Sequence, residues 1–326
     1  FSHMRPLRLF ALPLLLVAAP LALTACTSPT AEQAGAFTLT TRTALDLLPA
    51  DADVVGLINV AEARASDALA SLTDAGMGID SMTGEGAARI NDFMARTGFD
   101  FEEDIERVYV AANPNSGTVV MLMYADVDRA RIDAYLQDQS DMDTERTLYR
   151  DTPLFVSTDS DGEAFSFALP NDEMMVGGDD ASVRAVLDRM ADGGSGLRAD
   201  ATMMALLDHA AHPDDAWFAV RSMDFAAQRG PSDAVLDAGQ YMQRIVVSAG
   251  FGDDGLDVSF FGQTADSIAP GDVADIVRGA ISGMRMSAKD EPELMRALDG
   301  MRVSEARDAV RVDAFVSEAL LAEMRD

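Results

Sequence analysis

The chain has 326 residues, 48% of them hydrophobic, and a formal net charge of -30 from 55 acidic against 25 basic side chains. That length supplies one large or two ordinary domains with real cores. An acidic excess spread over the whole length repels phosphate backbones and argues against nucleic acid as a partner. Cys26 is the single cysteine, so no intramolecular disulfide can form.

Taken in chain order, the first signal is a targeting segment. Met4 is read as the initiator, and Arg5 and Arg8 form a short basic region ahead of the uncharged apolar run Leu9 to Ala19. This run is too short for a membrane-spanning helix, which needs about 20 apolar residues. Pro13 and Pro20 also interrupt a helix. The run ends in Leu23-Thr24-Ala25-Cys26, a branched apolar residue and two small residues before a cysteine. This resembles the lipobox of bacterial lipoproteins. The resemblance implies a signal peptide over residues 1–25, recognition of Leu23, Thr24 and Ala25 by a lipoprotein signal peptidase, and acyl chains such as palmitate on Cys26. It makes the membrane a partner through that lipid. Thr27, where an Asp would retain such a protein in the inner membrane, favours the outer membrane facing the periplasm. From Thr27 to about Thr43 the chain is small and polar, so residues 26–47 read as lipidated cysteine and flexible tether.

The body is expected to form two α+β units, over residues 48–200 and 201–326. Val54 to Val60 reads as a buried strand, with helices predicted over Ala61 to Ala75 and Ala87 to Thr97. Ile105 to Ala112 and Thr118 to Tyr124 flank Asn113-Pro114-Asn115-Ser116-Gly117, which predicts a hairpin. A helix over Asp128 to Gln137 follows, then strands over Leu148 to Thr158, Ala164 to Leu169 and Glu173 to Val176. An Asp- or Ser-capped helix over Asp180 to Met190 leads into Gly193-Gly194-Ser195-Gly196, read as a hinge.

Beyond that point the pattern restarts. Pro213 to Val220 repeats the acidic lead-in and apolar strand of residues 51 to 58. Met242 to Ala249 matches Ile105 to Ala112, and both hairpins lead to Ala-Asp, at Ala125-Asp126 and Ala265-Asp266. The expected fold is therefore two related units of antiparallel sheet with helices on one face, built from ferredoxin-like elements.

Candidate sites are few. His209 and His212 are an i, i+3 pair near carboxylates and form a weak metal candidate. The alternative places them as cations near a helix end that Pro213 terminates. Gly250-Phe251-Gly252-Asp253-Asp254-Gly255 has the spacing of a dinucleotide loop, but a strand follows it instead of a helix, so it reads as a hairpin turn. The Asp159 to Glu163 and Asp138 to Glu145 segments could offer oxygen ligands to calcium without the full EF-hand pattern. The scattered methionines, including Met121, Met123, Met203 and Met204, suit core filling better than copper. No cofactor is expected. These readings favour a lipid-anchored envelope protein that binds or scaffolds. The alternatives are an envelope hydrolase using a carboxylate pair or a metal at His209 and His212, and a structural protein adapted to high salt.

Overall fold

The structure is a computed structural model that describes residues 39–66, 85–138, 144–158, 164–222, 241–265 and 268–323. The signal peptide, Cys26 and most of the tether lie outside these residues, as do residues 139–143 and 159–163 of the two acidic segments.

The first half runs α1 (Leu39–Leu47), β1 (Val54–Asn59), α2 (Val60–Ala65), α3 (Glu85–Thr97), β2 (Ile105–Asn113), β3 (Thr118–Ala125) and α4 (Arg129–Asp138). It continues through β4 (Thr144–Tyr149), β5 (Thr152–Thr158), β6 (Ala164–Asn171), β7 (Met174–Asp179) and α5 (Asp180–Asp192). A short 3-10 turn at Gly196–Ala199 leads to α6 (Ala201–Leu207) and β8 (Ala216–Val220). The remainder is β9 (Met242–Gly252), β10 (Gly255–Thr264), α7 (Pro270–Ser287), α8 (Pro292–Gly300), β11 (Arg302–Glu305), β12 (Ala309–Ser317) and α9 (Glu318–Glu323).

The α+β class read from the sequence holds, and its sheet is continuous. Twelve strands lie in the order β11-β12-β10-β9-β8-β1-β2-β3-β7-β6-β5-β4. The halves meet where β1 and β8 pair antiparallel, with Val54 opposite Val220 and Gly56 opposite Phe218. The second half repeats the register of the first. Ile58 pairs with Val108 in β1 and β2, and Val220 pairs with Ile245 in β8 and β9. Both hairpins also bulge at the same place. Ile105 and Arg107 pair across the first bulge, skipping Glu106, and Met242 and Arg244 pair across the second, skipping Gln243. The structural partner of Ala125 is thus Thr264, one residue before the Ala265 expected from sequence.

Helices lie on both faces of the sheet, not on one. Leu122 points to a core built with Leu45 and Leu48 at α1, Val183, Val186 and Leu187 of α5, and Met203 and Leu207 of α6. Its neighbours Met121 and Met123 point the other way, into a core with Ile132 of α4 and Phe93 of α3. Successive strand residues face opposite sides, so both sides are packed. On that second face the outer half is covered by α7, α8 and α9, through Val273, Leu298 and Leu320 among others.

Local chemistry accounts for the punctuation. Asp179 caps α5 by accepting from the Ser182 backbone N–H at 2.9 Å, and Asp200 caps α6 through Thr202 and Met203. In the glycine run after α5, the last glycine is packed closely while Gly193 and Gly194 are exposed. A Cβ at Gly196, where φ is +40°, would collide with the Asp46 carbonyl. Leu197 is fully buried, and Arg198 bonds Asp46 at 2.8 Å.

Candidate functional site

The segment between α6 and β8 carries both histidines, and the structure fixes it against the first face of the second half. Ala211 N–H donates to the Ser248 hydroxyl of β9 at 3.0 Å. Asn59 donates its backbone N–H to the Asp215 carbonyl at 2.6 Å and its side-chain amide to the Asp214 carbonyl at 3.1 Å. Trp217 closes the loop by donating its indole N–H to the Pro213 carbonyl at 2.9 Å.

Helix α6 ends at Leu207, so neither histidine lies on a regular helix. The His209 ring stacks on Phe261 of β10, centroids 3.8 Å apart and planes 11° from parallel. His212 packs against Gly250 of β9, where an added Cβ would strike its Nδ1. Gly250 pairs with Asp257, four residues from Phe261 along β10. The sheet contacts of the two rings are therefore about 13 Å apart along the strand. Among the described residues, no group of three or more His, Cys, Asp or Glu is gathered to hold a metal ion.

Burial lowers the pKa of both histidines. For His209 the Arg311 charge adds to burial, against Asp208 and Asp308. For His212, Asp215 and Asp257 oppose it. Asp215 is itself shifted up by burial, against the pull of His212.

Beside the His209 and Phe261 stack lies a cavity of about 430 Å³, within the range of small-ligand pockets. Ala205 and Leu206 of α6 form one wall, Arg244, Phe261 and Gln263 the floor, and Asp308 with its neighbours the far wall. Gln263 bridges two charges: it accepts from Arg244 Nη1 at 2.6 Å and donates to Asp308 at 2.9 Å. Arg244 Nε is buried with no partner.

The repeated register shows how the two halves differ at this place. Arg107 pairs with Tyr124 as Arg244 pairs with Gln263. In the first half α5 covers the adjoining sheet, and Tyr124 is half-buried there, with desolvation pushing its pKa up to about 12. In the second half the helix after β12 packs on the opposite face, with Leu320 and Leu321 against Leu256 and Val258. The first face beyond α6 is left uncovered by any described helix, and it is polar: Ser259 donates to Asp313 at 2.8 Å, and Arg311 reaches both at 3.0 and 3.1 Å.

Sequence reading singled out the histidines but not Arg244, Phe261, Gln263 or Asp308. The one local signal was a charged residue and a glutamine at inward positions of otherwise apolar strands. The Gly250 to Gly255 segment contains the expected hairpin turn, at Asp253-Asp254 between the paired Gly252 and Gly255. Gly255 has φ +152°, and a Cβ there would collide with the Val316 carbonyl of β12. The methionines Met123 and Met203 are core residues.

No family model matches the chain, and no curated protein matches it. Among solved structures it is similar to crystal form III of TP0453, a Treponema protein. The TM-score is 0.51 at 11% identity, over 86% of this chain and 96% of that one. Crystal form I of TP0453 gives a TM-score of 0.47 at 10% identity, over 86% and 94%. At these identities the likeness is one of fold.

Proposed function

We propose that the chain is a lipid-anchored envelope protein, attached through Cys26 and facing the periplasm from the outer membrane, whose body binds a ligand or partner instead of catalysing a reaction. The observation that carries the anchor is the order of basic region, short apolar run and Leu23-Thr24-Ala25-Cys26 at the start of the chain. Among the described residues no helix is long and apolar enough to cross a membrane, and the proposal assigns attachment to the acyl chains. One chain gives only marginal binding, whereas two or more hold stably. Binding is supported by the cavity beside His209, whose charged residues are set at fixed positions by Gln263.

Metabolic labelling with a palmitate analogue tests the anchor. The wild-type chain should take up label and sediment with membranes, and Cys26→Ser should lose the label and leave the membrane fraction. Equal mass and equal fractionation of the two proteins would sink the proposal.

A further inference from the structure

We infer that the cavity of the second half binds a small amino-acid-type zwitterion with an apolar side chain, its carboxylate at Arg244 and its ammonium at Asp308. The inference rests on the binding reading above and names the ligand class. Three observations carry it.

First, the floor presents one cation and one anion at opposite poles of a single amide. Gln263 accepts from Arg244 and donates to Asp308, so the two charges are held apart instead of collapsing onto each other. Arg244 keeps its buried Nε unpartnered, and a guanidinium offers carboxylates a forked set of donors.

Second, the rest of the lining is mostly apolar, with Thr202 and His209 the polar exceptions. Phe261 is clamped under His209, and Ala205 and Leu206 close the other side. This wall offers most of its surface to an aliphatic or aromatic side chain.

Third, the net charge of -30 sets a field that disfavours a plain anion over most of the surface. A ligand of zero net charge escapes that repulsion while still using Arg244. At the counterpart place in the first half Tyr124 packs against the core under the helices, and the retention expected from this cavity is one equivalent per chain.

Equilibrium dialysis of the full chain against L-phenylalanine, L-leucine, 3-phenylpropionate and phenethylamine tests this. At least one amino acid should be retained at one equivalent, with 3-phenylpropionate and phenethylamine each weaker by roughly tenfold or more. Arg244→Gln and Asp308→Asn should each weaken the amino acid by a similar factor. Ala205→Trp should abolish retention by filling the space from an exposed position on α6, so a folding defect of Arg244→Gln would not leave the question open. Retention of neither amino acid, tighter binding of a single-charge analogue, or indifference to Ala205→Trp would overturn the ligand assignment while leaving the binding reading intact. Retention followed by recovery of a chemically altered amino acid would uphold the site and overturn the non-catalytic reading.

Discussion

His212 stands where a β-carbon on residue 250 would be, so the pair is a two-residue fit: glycine in the strand, imidazole in the loop. Burial there favours the neutral ring and sets its pKa below the ordinary 6.5, with Asp215 and Asp257 only partly opposing. The sign of the pH effect follows. A histidine whose folded pKa is depressed contributes stability above its unfolded pKa and loses it as pH falls through the folded value. Unfolding free energy should therefore drop as the pH falls below about 7. In His212→Gln that drop should be smaller, as read from urea unfolding at each pH. An equal slope in both proteins would show that the imidazole is not the group responsible.

At the scale of elements, the β4 and β5 hairpin shows what sequence could and could not disclose. Leu148 to Thr158 reads as one strand, yet the chain reverses at Arg150 and Asp151, whose φ angles are +51° and +62°. Two consecutive left-handed residues are the geometry of the tight primed turns that glycine and asparagine normally supply, and neither is present. Distant contacts hold the turn instead. Arg150 bonds Asp188 at 3.0 Å and Asp192 at 2.6 and 2.9 Å, and Tyr149 donates its hydroxyl to Asp188 at 3.0 Å. Asp151→Gly removes left-handed strain while sparing those bonds. It should stabilise the protein by about 0.5 to 1 kcal/mol in denaturant unfolding; a loss would mean that the Asp151 side chain has a role of its own.

The β2 and β3 hairpin was legible because its turn is written locally, and β9 and β10 were legible for the same reason. The second layer of helices was not drawn from the sequence. The unbroken apolar run Val119 to Met123 was the available sign, because a strand packed on both faces has no need to alternate. The cavity was illegible for another reason. Arg244 and Gln263 stand 19 residues apart, and Asp308 a further 45, so only strand pairing brings them together. The histidines drew notice because they are rare, yet they line different stretches of the sheet.

For the whole molecule, the decisive feature is the seam between β1 and β8. Arg221, just past β8, donates its backbone N–H to the Asp53 carbonyl at 2.7 Å. Its guanidinium bonds the Asp53 carboxylate at 2.8 and 3.1 Å and also pairs with Asp200, the cap of α6. One cation from the second half thus pairs with two largely buried carboxylates of the first. Arg221→Met would leave both without that partner and should cost about 2 to 4 kcal/mol, measured by chemical denaturation. With the sheet continuous, unfolding should remain a single transition. A cost under about 0.5 kcal/mol, in the range of a surface substitution, would place the hold between halves elsewhere in the seam.

A sheet that runs unbroken through both halves still has two outer strands, β4 and β11, with backbone groups facing outward. Leu148 on β4 is 60% exposed, and β11 is only four residues long. Neither border strand contains a proline, and the few charges along them are of mixed sign. Mutual repulsion between strongly anionic bodies would oppose the stitching of one copy onto the next, a safeguard that works at a distance and fades as dissolved ions accumulate. Brine would quiet the strain within each molecule and, by the same screening, leave its borders open to end-to-end growth.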